Sequence, residues 1–143
     1  MISRKSDYAL RALIYLALNK GKLISAREIA EKLKIPYKFL TQIFLDLSHK
    51  EIVASQRGSK GGVILKKDPS ELSLLEVIEA IDGPITLHQC ATELDEPCFF
   101  EGKCPLKEKL EDLEEVVRQL LANATFAKII EEYQINERRE EKT

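Results

Sequence analysis

IPYKFLTQIFLDLSHKEIVASQRGSKGGVIL, residues 35 to 65, changes its periodicity half-way along. In the first part Leu40, Ile43, Phe44 and Leu47 recur at helical spacing, which predicts a helix with one buried stripe and leaves Tyr37, Lys38, Thr41 and Gln42 to project elsewhere. In the second part Ile52 to Ser55 and Val63 to Leu65 read as two strands around the glycine-rich, doubly cationic connection RGSKGG. A helix followed at once by a basic hairpin predicts a recognition helix and a wing.

The residues upstream supply the rest of the motif. In SAREIAEKLKI, Ser25 and Glu28 have capping-box spacing, Ile29, Ala30 and Leu33 form the buried face, and Pro36 denies a helical conformation to Ile35. Before that, Leu10, Leu13, Ile14 and Ala17 give a first helix that ends near Gly21. The expected fold class is mainly α with a small β-hairpin wing, a winged helix-turn-helix domain joined to a long dimerisation helix. The expected divisions are 1–67 for the DNA-binding domain, 68–104 for a connector helix and cysteine loop, 105–135 for the dimerisation helix and a short C-terminal helix, and 136–143 for a charged tail.

Charge separates along the chain in the same way. The net charge of -2 over 143 residues conceals 14 Lys/Arg against 5 Asp/Glu in residues 1–67, and 8 against 19 in residues 68–143. The halves carry +9 and -11, so the first half is the expected polyanion binder. Within it, Gln42 has the chemistry to pair with an adenine edge, Thr41 to bond a base or touch a thymine methyl, and Tyr37 and Lys38 to reach phosphate. Arg57 suits a narrow minor groove; Lys60 suits phosphate, and Ser59 and Arg27 complete the set. The wing glycines predict a mobile tip able to approach the backbone closely. No apolar run is long enough to span a bilayer, and Asp7 and Arg11 interrupt the N-terminal one, so the expectation is a cytoplasmic protein with no membrane association and no small-molecule substrate.

In the acidic half, Pro69 and Ser70 predict the start of a fourth helix that buries Leu74, Leu75, Ile78 and Ile81 and stops at Asp82-Gly83-Pro84. From Pro105 a longer helix carries Leu106, Leu110, Leu113, Val117 and Leu120 at alternating steps of four and three, a heptad seam that calls for a partner helix. A second copy of the chain supplies one, and a two-fold protein reads a palindromic operator with two recognition helices; docking of the same seam within the chain is the alternative. Phe126, Ile129, Ile130 and Tyr133 mark one more short helix.

The three cysteines, Cys90, Cys98 and Cys104, fall in one loop with spacing C-x7-C-x5-C. That is neither a zinc ribbon nor a bacterial ferredoxin pattern, and the wide spacing suits a loop wrapped around an object larger than one ion. An iron-sulfur cluster, a zinc site or thiol switch, and a loop without function all remain open. Phe99 and Phe100 are placed to shield such a site from water. A fourth ligand must come from elsewhere; His88 is near in sequence.

The run from Ile35 to Leu65, the opening SDYALRALIYLA and the cysteine loop together resemble the Rrf family of winged-helix regulators typified by IscR, NsrR and RirA. The resemblance misses only the residues after Tyr133. It departs at Val63, where many members carry an aromatic residue, and at Lys107, near the place where IscR-like members carry a histidine ligand. It implies a dimeric DNA-binding repressor controlled by an iron-sulfur cluster, four-iron in preference to two-iron, that senses nitric oxide, redox state or iron. It further implies that Asp7, in its Ser-Asp-Tyr-Ala-Leu-Arg context, ligates that cluster from the partner subunit; an acid favouring a helix N-terminus is the other reading of Asp7. A redox enzyme is disfavoured because no nucleotide-binding glycine motif, C-x-x-C pair or acid-base constellation accompanies the thiols. A cofactor-free winged helix acting through a protein partner, like CymR-type members, is the remaining alternative, although those members lack the three cysteines.

Overall fold

The computed structural model describes residues 2–88 and 97–143. Among the described residues six helices and one antiparallel hairpin follow in the order α1 (Arg4–Leu18), α2 (Ala26–Leu33), α3 (Tyr37–His49), β1 (Val53–Gln56), β2 (Gly62–Leu65), α4 (Leu74–Asp82), α5 (Lys107–Asn123) and α6 (Phe126–Glu140). No helix among the described residues is long and apolar enough to cross a membrane.

α1 is the centre. Its buried face combines small residues, Ala9, Ala12 and Ala17, with Leu13 and Leu16, so α3, α4 and α6 can pack closely against it. α2 and α3 form the expected helix-turn-helix. Ser25 Oγ accepts from the Glu28 N–H at 3.1 Å, but the capping box is not reciprocal: the Glu28 carboxylate accepts from Tyr15 Oη at 3.4 Å. The turn passes through Lys34 at φ +55° and buries Ile35, whose N–H returns to Ala30 O at 3.0 Å. Leu40, Ile43, Phe44 and Leu47 are all in the core, as their spacing predicts.

β1 and β2 pair with Val53 opposite Leu65 and Gln56 opposite Gly62. Ile24 adds a further bridge, exchanging hydrogen bonds with Val63 at 3.0 and 2.7 Å. This explains two wing glycines differently from the expectation of a mobile tip. A Cβ on Gly62 would lie 2.6 Å from the Ile24 carbonyl carbon and oxygen, and one on Gly61 would lie 2.1 Å from Gln56 O. These positions are glycine because the hairpin turn and the bridging backbone at Ile24 leave no volume for a side chain. Val63 is buried, so its departure from an aromatic residue is a matter of core packing.

α4 begins at Leu74, later than expected, because Asp68 captures Ser70: Asp68 Oδ1 accepts from the Ser70 N–H at 2.8 Å and from Ser70 Oγ at 2.7 Å, closing a turn instead of a helix. Ser73 is the cap, its Oγ accepting from Glu76 N at 3.2 Å. Val77 and Ile78 are its buried residues, while Leu74, Leu75 and Ile81 are half-buried. After α5 the chain returns to the entrance of α4. Ser73 bridges Thr125, Leu74 N–H reaches Ala124 O at 3.0 Å, and Phe126 N–H reaches Leu72 O at 2.9 Å. Phe126 is fully buried with Leu72 and Val77 in the same core as α1 to α3. The last helix also departs from expectation. It continues to Glu140, through most of what reads as a solvated tail, carried by its charged helix formers and by side-chain contacts such as Tyr133 Oη to Glu137 Oε1 at 2.5 Å.

Candidate nucleic-acid interface and cysteine loop

α3 holds its outer residues where the sequence places them. Tyr37, Lys38, Thr41 and Gln42 are exposed, as are Arg57, Ser59 and Lys60 in the wing and Arg27 at the start of α2. Arg27, Lys38, Arg57 and Lys60 make no ion pair among the described residues, whereas Lys5, Arg11, Lys20, Lys66, Lys67 and Arg118 each face a carboxylate. The face therefore carries uncompensated positive charge. The Arg27 guanidinium lies 4.6 Å from the centre of the Tyr37 ring, a cation–π contact that links the first turns of α2 and α3. Thr41 Oγ1 donates to Lys38 O at 2.8 Å, so its methyl and lone pairs are what it presents outward.

Gln42 is not a free side chain. Its Nε2 donates to Asp46 Oδ1 at 3.1 Å, and the other Asp46 oxygen accepts from Lys5 Nζ of α1 at 2.6 Å. The hydrogen bond from Lys5 is the main cause of an Asp46 carboxyl held below the usual carboxylate range, against a smaller opposing effect of burial. Tyr8, one turn along α1, meets Phe39 of α3 edge to face with ring centres 5.7 Å apart. Between Lys5 and Tyr8 stands Asp7, half-exposed and paired with Arg11 Nε at 3.1 Å.

The other end of this connection is Asp82, the last residue of α4 and the doorway to the cysteine loop. Ser3 N–H donates to Oδ2 at 3.1 Å, Ser3 Oγ to Oδ1 at 2.5 Å, and the buried Ser6 Oγ to Oδ2 at 2.7 Å. Beyond it the loop is tied to α5 by Leu87 N–H on Glu114 Oε2 at 3.0 Å, while Glu79 of α4 pairs with Arg118. Neither Asp82, Lys5 nor Asp46 is marked by any motif; only the four-residue spacing of Gln42 and Asp46 is legible locally.

Cys90 lies outside the described residues. Cys98 is half-buried and Cys104 exposed; both are free thiols in a segment folded by turns, with Glu101 N–H on Cys98 O at 3.1 Å and Lys103 N–H on Phe100 O at 2.8 Å. Among the described residues no group of three His, Cys, Asp or Glu side chains is gathered to hold a metal, and Asp7 of the same chain is not brought to these thiols. The donors themselves, soft and undisulfided, suit iron-sulfide chemistry. Phe99 is 94% exposed and stacks edge-on with Phe100, so it is not packed over the described thiols Cys98 and Cys104. His88 Nδ1 is buried with no hydrogen-bond partner among the described residues.

The α5 seam divides. Val117 and Leu110 are half-buried, Val117 turning with Leu121 towards Ile78 of α4, but Leu106, Leu113 and Leu120 are 63%, 56% and 67% exposed, with Val116 beside them at 53%. Docking within the chain thus covers one flank of the seam and leaves an apolar stripe on the other.

A family model described as Rrf2, iron-dependent transcriptional regulator, matches residues 2–132. A candidate HTH-type transcriptional regulator of Aquifex aeolicus is 35% identical over 113 residues, 73% of this chain and 78% of that protein. The HTH-type transcriptional regulator NsrR of Shouchella clausii is 29% identical over 133 residues, 92% and 83% of the two chains. Among solved structures, CymR, the global cysteine regulator of B. subtilis, superposes with a TM-score of 0.77 at 26% identity over 92% of this chain and 96% of its own.

Proposed function

The chain belongs to the Rrf2 family of transcriptional regulators, and from that premise we propose that it is a homodimeric repressor whose grip on a palindromic operator is set by an iron-sulfur cluster. The exposed face of α3 and the wing enter the DNA: Gln42, Thr41 and Arg57 read bases or groove shape, and Arg27, Tyr37, Lys38, Ser59 and Lys60 hold the backbone. The apolar stripe Leu106, Leu113, Val116 and Leu120 meets its copy across the two-fold axis, which sets the half-site spacing. Cys90, Cys98 and Cys104, with Asp7 of the partner subunit, are the proposed ligands, four protein donors being the number an iron-sulfur cluster takes, and the family resemblance implies four-iron in preference to two-iron. When bound, the cluster supplies iron–thiolate bonds sensitive to nitric oxide, oxidants and iron supply.

One observation carries the reading. α1 touches both parts, held by Asp82 at the mouth of the cysteine loop and holding α3 through Lys5 and Tyr8. Asp7, paired with Arg11 through Oδ2 and half-exposed, lies on the same turn that grips α3. A change at the loop would therefore reach the recognition helix through α1, the element that contacts both.

The test is operator binding at fixed salt by protein purified without oxygen, compared with the same protein after cluster removal, with iron, sulfide and the visible spectrum measured on each. A difference of tenfold or more in affinity is expected; equal affinity would sink the proposal. A colourless protein that cannot be loaded, yet whose DNA binding changes on thiol oxidation, would favour a thiol switch. The likeness to CymR and the two free thiols Cys98 and Cys104 make that the second reading.

A further inference from the structure

We infer that Asp46 and Lys5 are positioning residues for base specificity, locking the Gln42 side-chain amide into the orientation that accepts adenine and rejects guanine. This deepens the operator-binding reading and rests on it. An ionised carboxylate accepts hydrogen bonds and cannot donate them, so the Gln42 group facing Asp46 at 3.1 Å is the NH₂ end of the amide. A carboxylate free to turn would impose nothing. Asp46 is not free, because Lys5 Nζ holds its second oxygen at 2.6 Å from a different helix. Lys5 and Asp46 are each about two-thirds buried, 31% and 28% exposed, while Gln42 itself stands in solvent. The anchor is thus covered and the reading group is open.

The fixed amide presents outward one carbonyl oxygen and the one N–H that Asp46 leaves unused. In the major groove adenine offers an amino donor and the N7 acceptor side by side, which matches that pair. Guanine offers two acceptors, O6 and N7, and would set the Gln42 carbonyl against O6. Without Asp46 the amide can rotate to turn both N–H groups outward, and the distinction fades. Lys5 has a second effect: it neutralises a carboxylate that would otherwise face the phosphate-lined groove alone.

The experiment is selection from a pool of randomised DNA duplexes by the full chain, purified without oxygen, and by Gln42→Ala, Asp46→Ala and Lys5→Met. Wild type should enrich a palindromic motif containing an adenine whose preference vanishes in Gln42→Ala. Asp46→Ala and Lys5→Met should keep the other positions of the motif while the adenine-over-guanine preference at that one position falls about tenfold. An unchanged preference there, or an even weakening at every position, overturns the inference. If thermal melts show Asp46→Ala unfolded, Lys5→Met, which leaves α3 intact, decides alone. A wild-type chain that enriches no motif defeats the operator reading itself, a different outcome from a motif whose adenine is indifferent to Asp46.

Discussion

Ser6, fully buried on α1, donates its hydroxyl to Asp82 at the end of α4 across 2.7 Å and 76 residues of sequence. With Ser3 giving two more hydrogen bonds to the same carboxylate, the N-terminal turn of α1 is fastened to the base of the cysteine loop. Ser6→Ala and Asp82→Ala should each lower unfolding free energy by about 1–2 kcal/mol, since hydrogen bonds to an ionised group are the stronger kind and Asp82 keeps some contact with water. Chemical denaturation checks this. The double variant should cost less than the sum of the singles, because both remove the same contact.

The same carboxylate makes stability depend on acid. Burial pushes the Asp82 carboxyl up, but the hydrogen bonds from Ser3 and Ser6 outweigh that and leave it below its ordinary value of 3.8. Asp68, bonded by Ser70 and Lys20, is lowered further, to about 2, and Asp46 is lowered chiefly by Lys5. A folded-state value below the unfolded one means stabilisation that is present above the unfolded value of 3.8 and is lost as pH falls through the lower folded value, which for Asp68 is about 2. Denaturation midpoints should therefore be flat in this respect from pH 7 to 5 and fall below 4. Asp68→Asn should flatten the lower limb.

On DNA, two groups of residues should separate. Arg57→Ala and Gln42→Ala should reduce the ratio of specific to random binding, by about tenfold or more each. Lys38→Ala and Lys60→Ala should weaken both kinds of binding and reduce the slope of log affinity against log salt by about one unit each, as expected for a lost phosphate contact. Equal losses on both DNAs for all four would remove the base-reading assignment.

The open flank of α5 should govern assembly. Leu113→Glu combined with Leu120→Glu places charge on a stripe that is over half exposed in one chain, so the fold should survive while the dimer does not. Light scattering should report a monomer with unchanged helical signal, and operator affinity should drop sharply because two half-sites are no longer held together. A dimer that persists would move the interface off this helix.

What could be read in the sequence was local. α2, α3 and the hairpin follow from apolar spacing, Pro36 and the wing glycines, each acting within a few residues. The start of α4 misled because Pro69 and Ser70 look like a helix entrance until Asp68 claims Ser70. α6 outran its apolar residues because charged helix formers need no core to stay helical next to an anchored turn. Periodicity found the α5 seam but cannot say which flank of a stripe docks inside the chain; that depended on Glu79 and Arg118 and on where α4 ends. The contacts that join loop to recognition helix, Ser6 to Asp82 and Lys5 to Asp46, link residues 76 and 41 positions apart and leave no periodic trace.

The isolated β-bridge between Ser73 and Thr125 ties off everything between them into a single ring of chain. Closing such a ring depends only weakly on its length, about 0.6 kcal/mol for each doubling. Mutation and insertion can therefore lengthen or shorten the cysteine loop while Leu72 and Phe126 keep their places in the core. A DNA-reading head can in this way stay intact while the loop hung from it changes in length and composition.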